Sequence, residues 1–152
     1  MKSIQQWLDE YGVSHQNQAN KTIHFVCVPM IFFTIVGLLY CIKLPEFLGI
    51  RITVAHIVLI GVAVYYFTLS VPLAFGIILY AFICIMLCHL IEQSTGHLLL
   101  ISIILFALAW VAQFWGHHIE GKKPSFLKDI QFLLIGPAWI MSFLFKKLGL
   151  SI

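Results

Sequence analysis

The chain has 152 residues, of which 61% are hydrophobic and 10% are charged, and its formal net charge is +3. A soluble domain has about 45–50% apolar and about 25% charged residues, so this composition excludes an ordinary soluble protein. The basic residues are spread along the chain and form no basic cluster, so we expect no nucleic-acid partner. The length fits a single membrane-embedded domain, residues 1–152.

The first segment, Ser3 to Tyr11, has its apolar residues at helical spacing and its polar residues on the opposite face. This pattern predicts a short amphipathic helix, with Ser3 as its cap and Gly12 at its end. Trp7 and Tyr11 are residue types favoured where membrane meets water. We therefore expect this helix to lie on the bilayer surface.

The first predicted membrane crossing runs from Thr22 to Ile42, which is 21 residues without a formal charge. About 20 such residues make one span. Asn20 is predicted to cap this helix, and Pro29 is predicted to kink it.

A second uncharged stretch, Ile52 to Ile91, has 40 residues, about twice the length of one span. Pro72 suits the first turn of a new helix, so the stretch is predicted to divide into crossings at 52–69 and 72–91. Glu92 to Gly96 is expected to be a connector, and Leu98 to Trp115 is the fourth predicted crossing.

The last apolar segment, Ile130 to Phe145, has only 16 residues and is interrupted by Gly136-Pro137. A span usually needs about 17–25 residues, so we interpret this segment as a broken, re-entrant or interfacial helix. The sequence therefore predicts an all-α integral membrane protein. It has about four transmembrane helices, an N-terminal interfacial helix and a short C-terminal broken or re-entrant helix.

Positive charge predicts the orientation in the membrane. With four crossings, seven basic residues fall on one side: Lys2, Lys21, Lys122, Lys123, Lys128, Lys146 and Lys147. Lys43 and Arg51 fall on the other side. Because lysine and arginine accumulate on the cytoplasmic side, the first group is predicted to be cytoplasmic. We expect a multi-pass protein of the inner membrane in a bacterium or of the endoplasmic reticulum in a eukaryote.

The same topology brings two polar stretches together on the cytoplasmic side. His15 and His24 precede or open the first crossing, and His117, His118 and Glu120 follow the fourth. Imidazoles with a carboxylate suit zinc, iron, copper or nickel. Neither stretch contains cysteine, which argues against a structural zinc site. His15 and His24 can converge only if the chain bends between them, and the predicted cap at Asn20 would supply the bend.

The other histidines are more simply explained as structural. A lone histidine near a membrane interface usually makes a hydrogen bond or reaches toward water. We assign that role to His56 and His97. The pair His89 and Glu92 repeats the spacing of His117 and Glu120, but only one further histidine is expected near it.

Two motifs extend this interpretation. The pattern Tyr11-Gly-x-x-His15-x-x-x-x-Asn20-x-x-x-His24, followed by Val28-Pro29, resembles the opening of a family of small membrane 2-hydroxy fatty acid dioxygenases. The stretch Gln113-Phe-x-Gly-His117-x-x-Glu120-Gly-Lys-Lys-Pro resembles its second signature, and Gly136-Pro137 continues it. The resemblance implies an iron(II)-dependent enzyme. It would shorten a long-chain 2-hydroxy fatty acid by one carbon, using dioxygen and releasing carbon dioxide.

The resemblance also implies roles for individual residues. His15, His24 and His117 become metal-ligand candidates, and His118 is a further candidate at a position that varies in the family. Glu120 is implied as a ligand or a nearby base, and Asn20 orients a ligand or caps a helix. Lys122 or Lys123 is expected to help hold the substrate carboxylate.

The electron count agrees with this activity. A 2-hydroxy acid that loses carbon dioxide and ends as the shorter acid gives up four electrons, and one dioxygen molecule accepts four. No reductant is needed, and the sequence has no nucleotide or flavin motif. Two alternatives stay open: a di-iron lipid hydroxylase or desaturase, which needs more histidines than these seven, and a non-enzymatic membrane carrier or scaffold.

Overall fold

The structure, a computed structural model, describes residues 2–46, 51–124, 131–150 and 152. Within these ranges the regular elements are six α-helices, and Lys43 and Thr53 form an isolated antiparallel bridge. The helices are α1 (Ile4–Gly12), α2 (Gln18–Tyr40), α3 (Val54–Leu69), α4 (Val71–Thr95), α5 (Leu98–Glu120) and α6 (Phe132–Lys147).

Helix α1 begins where the sequence predicted. The backbone N–H of Gln6 donates to Ser3 Oγ (3.3 Å), and the Ser3 N–H donates to Gln6 Oε1 (2.9 Å), which together form a capping box. Trp7 and Tyr11 are buried, and both rings contact Phe132 of α6. Helix α6 therefore covers the face of α1 that carries these two aromatics.

Helix α2 begins one turn earlier than expected. Its cap is Asn17, whose Oδ1 accepts from the N–H of Ala19 at 2.8 Å and of Asn20 at 3.5 Å. The prediction of a cap at Asn20 is therefore wrong. The bend between His15 and His24 lies at Asn17, and the Asn20 side chain is free to make other contacts.

Three helices, α2, α4 and α5, are long and apolar enough to cross a membrane. Helix α3 is also apolar but has 16 residues, about 24 Å at 1.5 Å per residue. The predicted break between the second and third crossings is confirmed, because Ser70 caps α4 and Pro72 lies in its first turn. The predicted connector Glu92 to Gly96 is wrong, since α4 continues to Thr95 and ends at Gly96 with φ of 66°.

Helices α2 and α5 form the most extensive contact of the bundle. They approach so closely that a Cβ on Gly37 would collide with the Ser102 side chain. Small residues at such crossings are typical of helices packed in membranes. Many large apolar side chains on the outer faces are exposed, such as Ile60, Phe75 and Val111. Such an outer surface is expected where lipid is the solvent, and the protein is an all-α membrane protein.

The connectors and helix ends lie at two ends of the bundle. The α1–α6 end consists of α1, α6 and residues 13–24 and 113–124, and the opposite end consists of residues 40–46, 51–56 and 89–98.

Helix α6 runs without interruption through Gly136 and Pro137. The Tyr66 hydroxyl near the end of α3 donates to the Leu134 carbonyl of α6. Two positions used in the sequence predictions lie outside the described residues. They are Lys128, which is part of the predicted charge bias, and Ile130, which is the predicted start of the last segment.

Candidate metal centre

Three histidines from two distant parts of the chain meet at the α1–α6 end. His15 lies in the connector between α1 and α2, His24 in the second turn of α2, and His117 in the last turn of α5. The ring centroids of His15 and His24 are 4.2 Å apart, those of His15 and His117 are 5.0 Å apart, and those of His24 and His117 are 4.8 Å apart. All three side chains are buried.

Backbone carbonyls fix the orientation of two of these rings. The Nδ1–H of His15 donates to the Tyr11 carbonyl (2.7 Å), and the Nδ1–H of His24 donates to the Asn20 carbonyl (3.0 Å). A carbonyl can only accept, so each Nδ1 carries the proton and each Nε2 keeps its lone pair. A metal-binding histidine typically makes such a bond through its other ring nitrogen.

The remaining nitrogens fit a metal ion. Within the described residues, His15 Nε2, His24 Nε2 and His117 Nδ1 are buried without a hydrogen-bond partner. An unpaired buried polar atom costs about 1–3 kcal/mol. The three histidines offer ligand nitrogens that all lie within 4.8 Å of one another. Two ligands about 2.1 Å from one metal are at most about 4.2 Å apart, so the rings would have to move together by a few tenths of an ångström to hold one ion. The site therefore suits a divalent transition metal and leaves coordination positions open.

Packing holds the His15 ring in its neutral form. Burial lowers the pKa of His15, against the opposing effects of the Tyr11 carbonyl and the Glu120 charge. The ring is stacked on Tyr11, with centroids 4.2 Å apart, and Trp139 of α6 lies 5.3 Å away on a tilted plane. A neutral imidazole is the form that binds a metal.

Glu120 joins the two polar stretches but is not part of the three-histidine group. Its carboxylate accepts hydrogen bonds from the N–H of Gln16 (2.9 Å), the N–H of Asn17 (2.8 Å) and Asn20 Nδ2 (3.2 Å). These bonds attach the end of α5 to the start of α2, where a negative charge also suits the helix dipole. Glu120 therefore positions the connector that carries His15.

Asn20 is fully buried between α2 and α5. Its Nδ2 also donates to the Ser14 carbonyl (3.1 Å), and its own carbonyl accepts from His24. Its Oδ1 has no hydrogen-bond partner among the described residues and faces Gly116, where a Cβ would collide with it. Gly116 therefore allows α5 to approach the residue that orients His24.

The other residues that the sequence singled out lie away from the three rings. His118 is exposed, and its ring lies 6.0 Å from Trp115. Lys122 Nζ donates to the Val13 carbonyl (2.6 Å), which links the same two polar stretches, and Lys123 is exposed.

An apolar cavity of about 370 Å³ opens beside the centre. Side chains of α2, α3, α5 and α6 line it, and His117 and Tyr11 lie in its wall. Its volume is within the range of about 300–1,000 Å³ that is usual for small-molecule sites. Along α2 it extends from Val28 to Leu39, about 16 Å at 1.5 Å per residue.

Sequence reasoning missed two polar residues of this wall. Gln113 and Tyr11 line the cavity and are buried, whereas the sequence predicted only an interfacial residue type at Tyr11 and no role for Gln113. The available signal was their place in the motifs, since Tyr11 begins the first and Gln113 begins the second.

The chain matches known proteins over almost its whole length. A sequence model of the family described as 2-hydroxy-palmitic acid dioxygenase Mpo1-like matches residues 1–148. The 2-hydroxy-palmitic acid dioxygenase MPO1 of Saccharomyces cerevisiae is 28% identical over 141 residues, which cover 90% of this chain and 76% of the yeast protein. No solved structure matches the chain significantly. Because the family match includes both stretches that supply the three imidazoles, the protein belongs to the Mpo1-like family.

Proposed function

We propose that the protein is an iron(II)-dependent dioxygenase that converts a long-chain 2-hydroxy fatty acid to the acid one carbon shorter and carbon dioxide. The observation that carries this proposal is the group of three buried, unpaired imidazole nitrogens beside an apolar cavity. Membership of a family named for a 2-hydroxy-palmitic acid dioxygenase supports the substrate class.

His15, His24 and His117 would hold the metal. When bound, it would supply a Lewis-acidic centre for the substrate oxygens and electron exchange with dioxygen. The chain prepares this site through Tyr11 and Asn20, whose carbonyls keep protons on the outward-facing Nδ1 atoms of His15 and His24. The described residues contain one such ligand group, which supports a mononuclear centre over the paired centre of a di-iron hydroxylase.

The cavity would receive the acyl tail. An extended alkyl chain advances less than one C–C bond, about 1.5 Å, per carbon. A cavity about 16 Å long therefore accommodates at least about eleven carbons. Its apolar wall also keeps water from the centre, which strengthens electrostatic interactions there and limits side reactions.

The proposal is tested by supplying 2-hydroxypalmitate and palmitate side by side, with iron(II), dioxygen and no reductant. Conversion of 2-hydroxypalmitic acid and dioxygen to pentadecanoic acid, carbon dioxide and water balances in atoms and electrons. We expect pentadecanoate and carbon dioxide from the hydroxy acid and no product from palmitate. Equal conversion of both acids, or an absolute need for an electron donor, would instead indicate a hydroxylase.

We also propose that the metal centre faces the cytoplasm, on the basis of the bias in basic residues between the two ends. Cysteine substitutions at Lys21 and Lys43, labelled from each side of intact membranes, test this orientation. Labelling of Lys21→Cys from the outside would contradict it.

A further inference from the structure

Two polar side chains next to the three-histidine group have no hydrogen-bond partner among the described residues. The Tyr11 side chain is 6% exposed and the Gln113 side chain 9% exposed. Within the described residues, neither the Tyr11 hydroxyl nor the Gln113 carboxamide makes a hydrogen bond. A hydroxyl or amide of a largely buried side chain normally has a partner, and both residues line the cavity, so both point to a ligand that would supply one.

Both side chains line the same cavity as His117. Gln113 lies one helical turn before His117 on α5, so the two share a face of that helix. Tyr11 comes from α1, with its ring stacked on that of His15 at a centroid distance of 4.2 Å. Each of the two side chains therefore lies beside a histidine of the centre and in the wall of the cavity.

We infer that the Tyr11 hydroxyl and the Gln113 carboxamide form a polar subsite that holds the head group of the 2-hydroxy fatty acid. This inference rests on the proposed function. The Tyr11 O–H can donate to a carboxylate oxygen. The Gln113 amide can donate to the other oxygen through Nε2 and accept from the 2-hydroxyl through Oε1.

The chemistry of the subsite favours a 2-hydroxy fatty acid over the fatty acid that lacks the hydroxyl. A site that is built to hydrogen-bond a hydroxyl discriminates against the analogue that lacks it, because its own buried groups are then left unpaired. Palmitate would leave Gln113 Oε1 without its donor. The lysines expected to hold the carboxylate are not needed for this role, since Lys122 bonds to Val13 and neither Lys122 nor Lys123 lines the cavity.

The test measures binding without turnover. Wild type, Tyr11→Phe and Gln113→Leu, each loaded with iron(II), are equilibrated without dioxygen against radiolabelled 2-hydroxypalmitate and palmitate. Each substitution is expected to weaken binding of 2-hydroxypalmitate about ten-fold or more, with the metal content unchanged. Gln113→Leu is expected to affect palmitate less. Tyr40→Phe and Gln93→Leu, whose side chains do not line this cavity, serve as matched controls and are expected to bind as wild type.

A second variant excludes a purely structural effect. Gln113→Glu keeps the shape of the side chain but places a carboxylate against the substrate carboxylate. It should reject 2-hydroxypalmitate and bind 2-hydroxypalmitamide better, because that amide can donate to Glu. Unchanged binding in Tyr11→Phe and Gln113→Leu, weakened binding explained by lost metal, or no switch toward the amide would each overturn the subsite. If wild type converts 2-hydroxypalmitate, these failures leave the proposed function intact; if wild type does not, the proposed function itself fails.

Discussion

The two ends of the bundle both carry histidines, but they use them differently. At the α1–α6 end, three imidazoles are buried with their ring centroids within 5.0 Å of one another, and each has a nitrogen without a hydrogen-bond partner among the described residues. At the opposite end, His56 Nδ1 lies 2.9 Å from Thr53 Oγ1, and His89 Nδ1 lies 3.1 Å from the Tyr40 hydroxyl. His97 is exposed.

This difference shows why spacing alone cannot identify a site. His89 and Glu92 on α4 repeat the spacing of His117 and Glu120 on α5. Both helices are long and apolar enough to cross a membrane. His89 is exposed and lies beside the Tyr40 hydroxyl, whereas His117 is buried and its Nδ1 has no partner in the part of the chain that the structure describes. The connector with His15 and the start of α2 with His24 make the difference, because they bring two more imidazoles to His117.

The largest expected effect comes from removing a histidine of the buried group. His24→Ala and His117→Ala should each lower conversion of 2-hydroxypalmitate by more than the roughly 100-fold that loss of an outer partner of a metal ligand can cost. His56→Ala and His89→Ala at the opposite end should keep most of the activity. Similar losses of activity in the variants of both ends would contradict the assignment of the metal centre to the α1–α6 end.

An intermediate effect is expected when the link between α5 and α2 is weakened. Glu120→Gln leaves one oxygen acceptor where the carboxylate has two, and it places an NH₂ group against a backbone N–H. The connector with His15 should loosen, and metal affinity should fall by about 10–100-fold. Metal titration of the purified variant measures this change. Glu92→Gln is the matched control, and an equal fall in that variant would contradict the assigned role of Glu120.

The smallest effect is expected from a methyl group at the helix crossing. Gly116→Ala would push against Asn20 Oδ1, displace the carbonyl that orients His24, and lower metal affinity by about ten-fold. Gly61→Ala introduces the same methyl on α3, where nothing lies within 4 Å. That variant should bind metal as wild type does and unfold no more easily, because alanine favours a helix over glycine. Equal metal affinity of the two variants would show that the close approach of Gly116 to Asn20 is unimportant.

Much of this arrangement could be predicted from the sequence. Apolar run lengths place the helices, and the alternation of crossings brings the stretches around His15 and His117 to one end. The hydrogen bonds of Glu120 with Gln16 and Asn17 confirm that those stretches meet. Local patterns suffice here because the lengths of the apolar runs and the number of crossings follow directly from the order of residues along the chain.

Other features depend on contacts that no local pattern shows. Asn17 and Asn20 are equally good caps by residue type, and Asn17 takes that role while Asn20 bonds to Glu120, 100 positions away. Tyr11 is a residue type favoured at membrane interfaces, but its burial depends on α6, which is distant in sequence. Helix α4 continues through the polar residues around Glu92 because its backbone bonds persist until Gly96 ends it.

The most direct test of the central claim is the metal content of the purified protein. We expect the wild type to hold iron, or another divalent metal in its place, in a stoichiometric amount. His24→Ala should lose that metal, and His56→Ala should retain it. A wild-type protein that is free of metal and still fully active, or a His24→Ala variant that keeps the full amount, would contradict the assignment of His15, His24 and His117 as the metal centre.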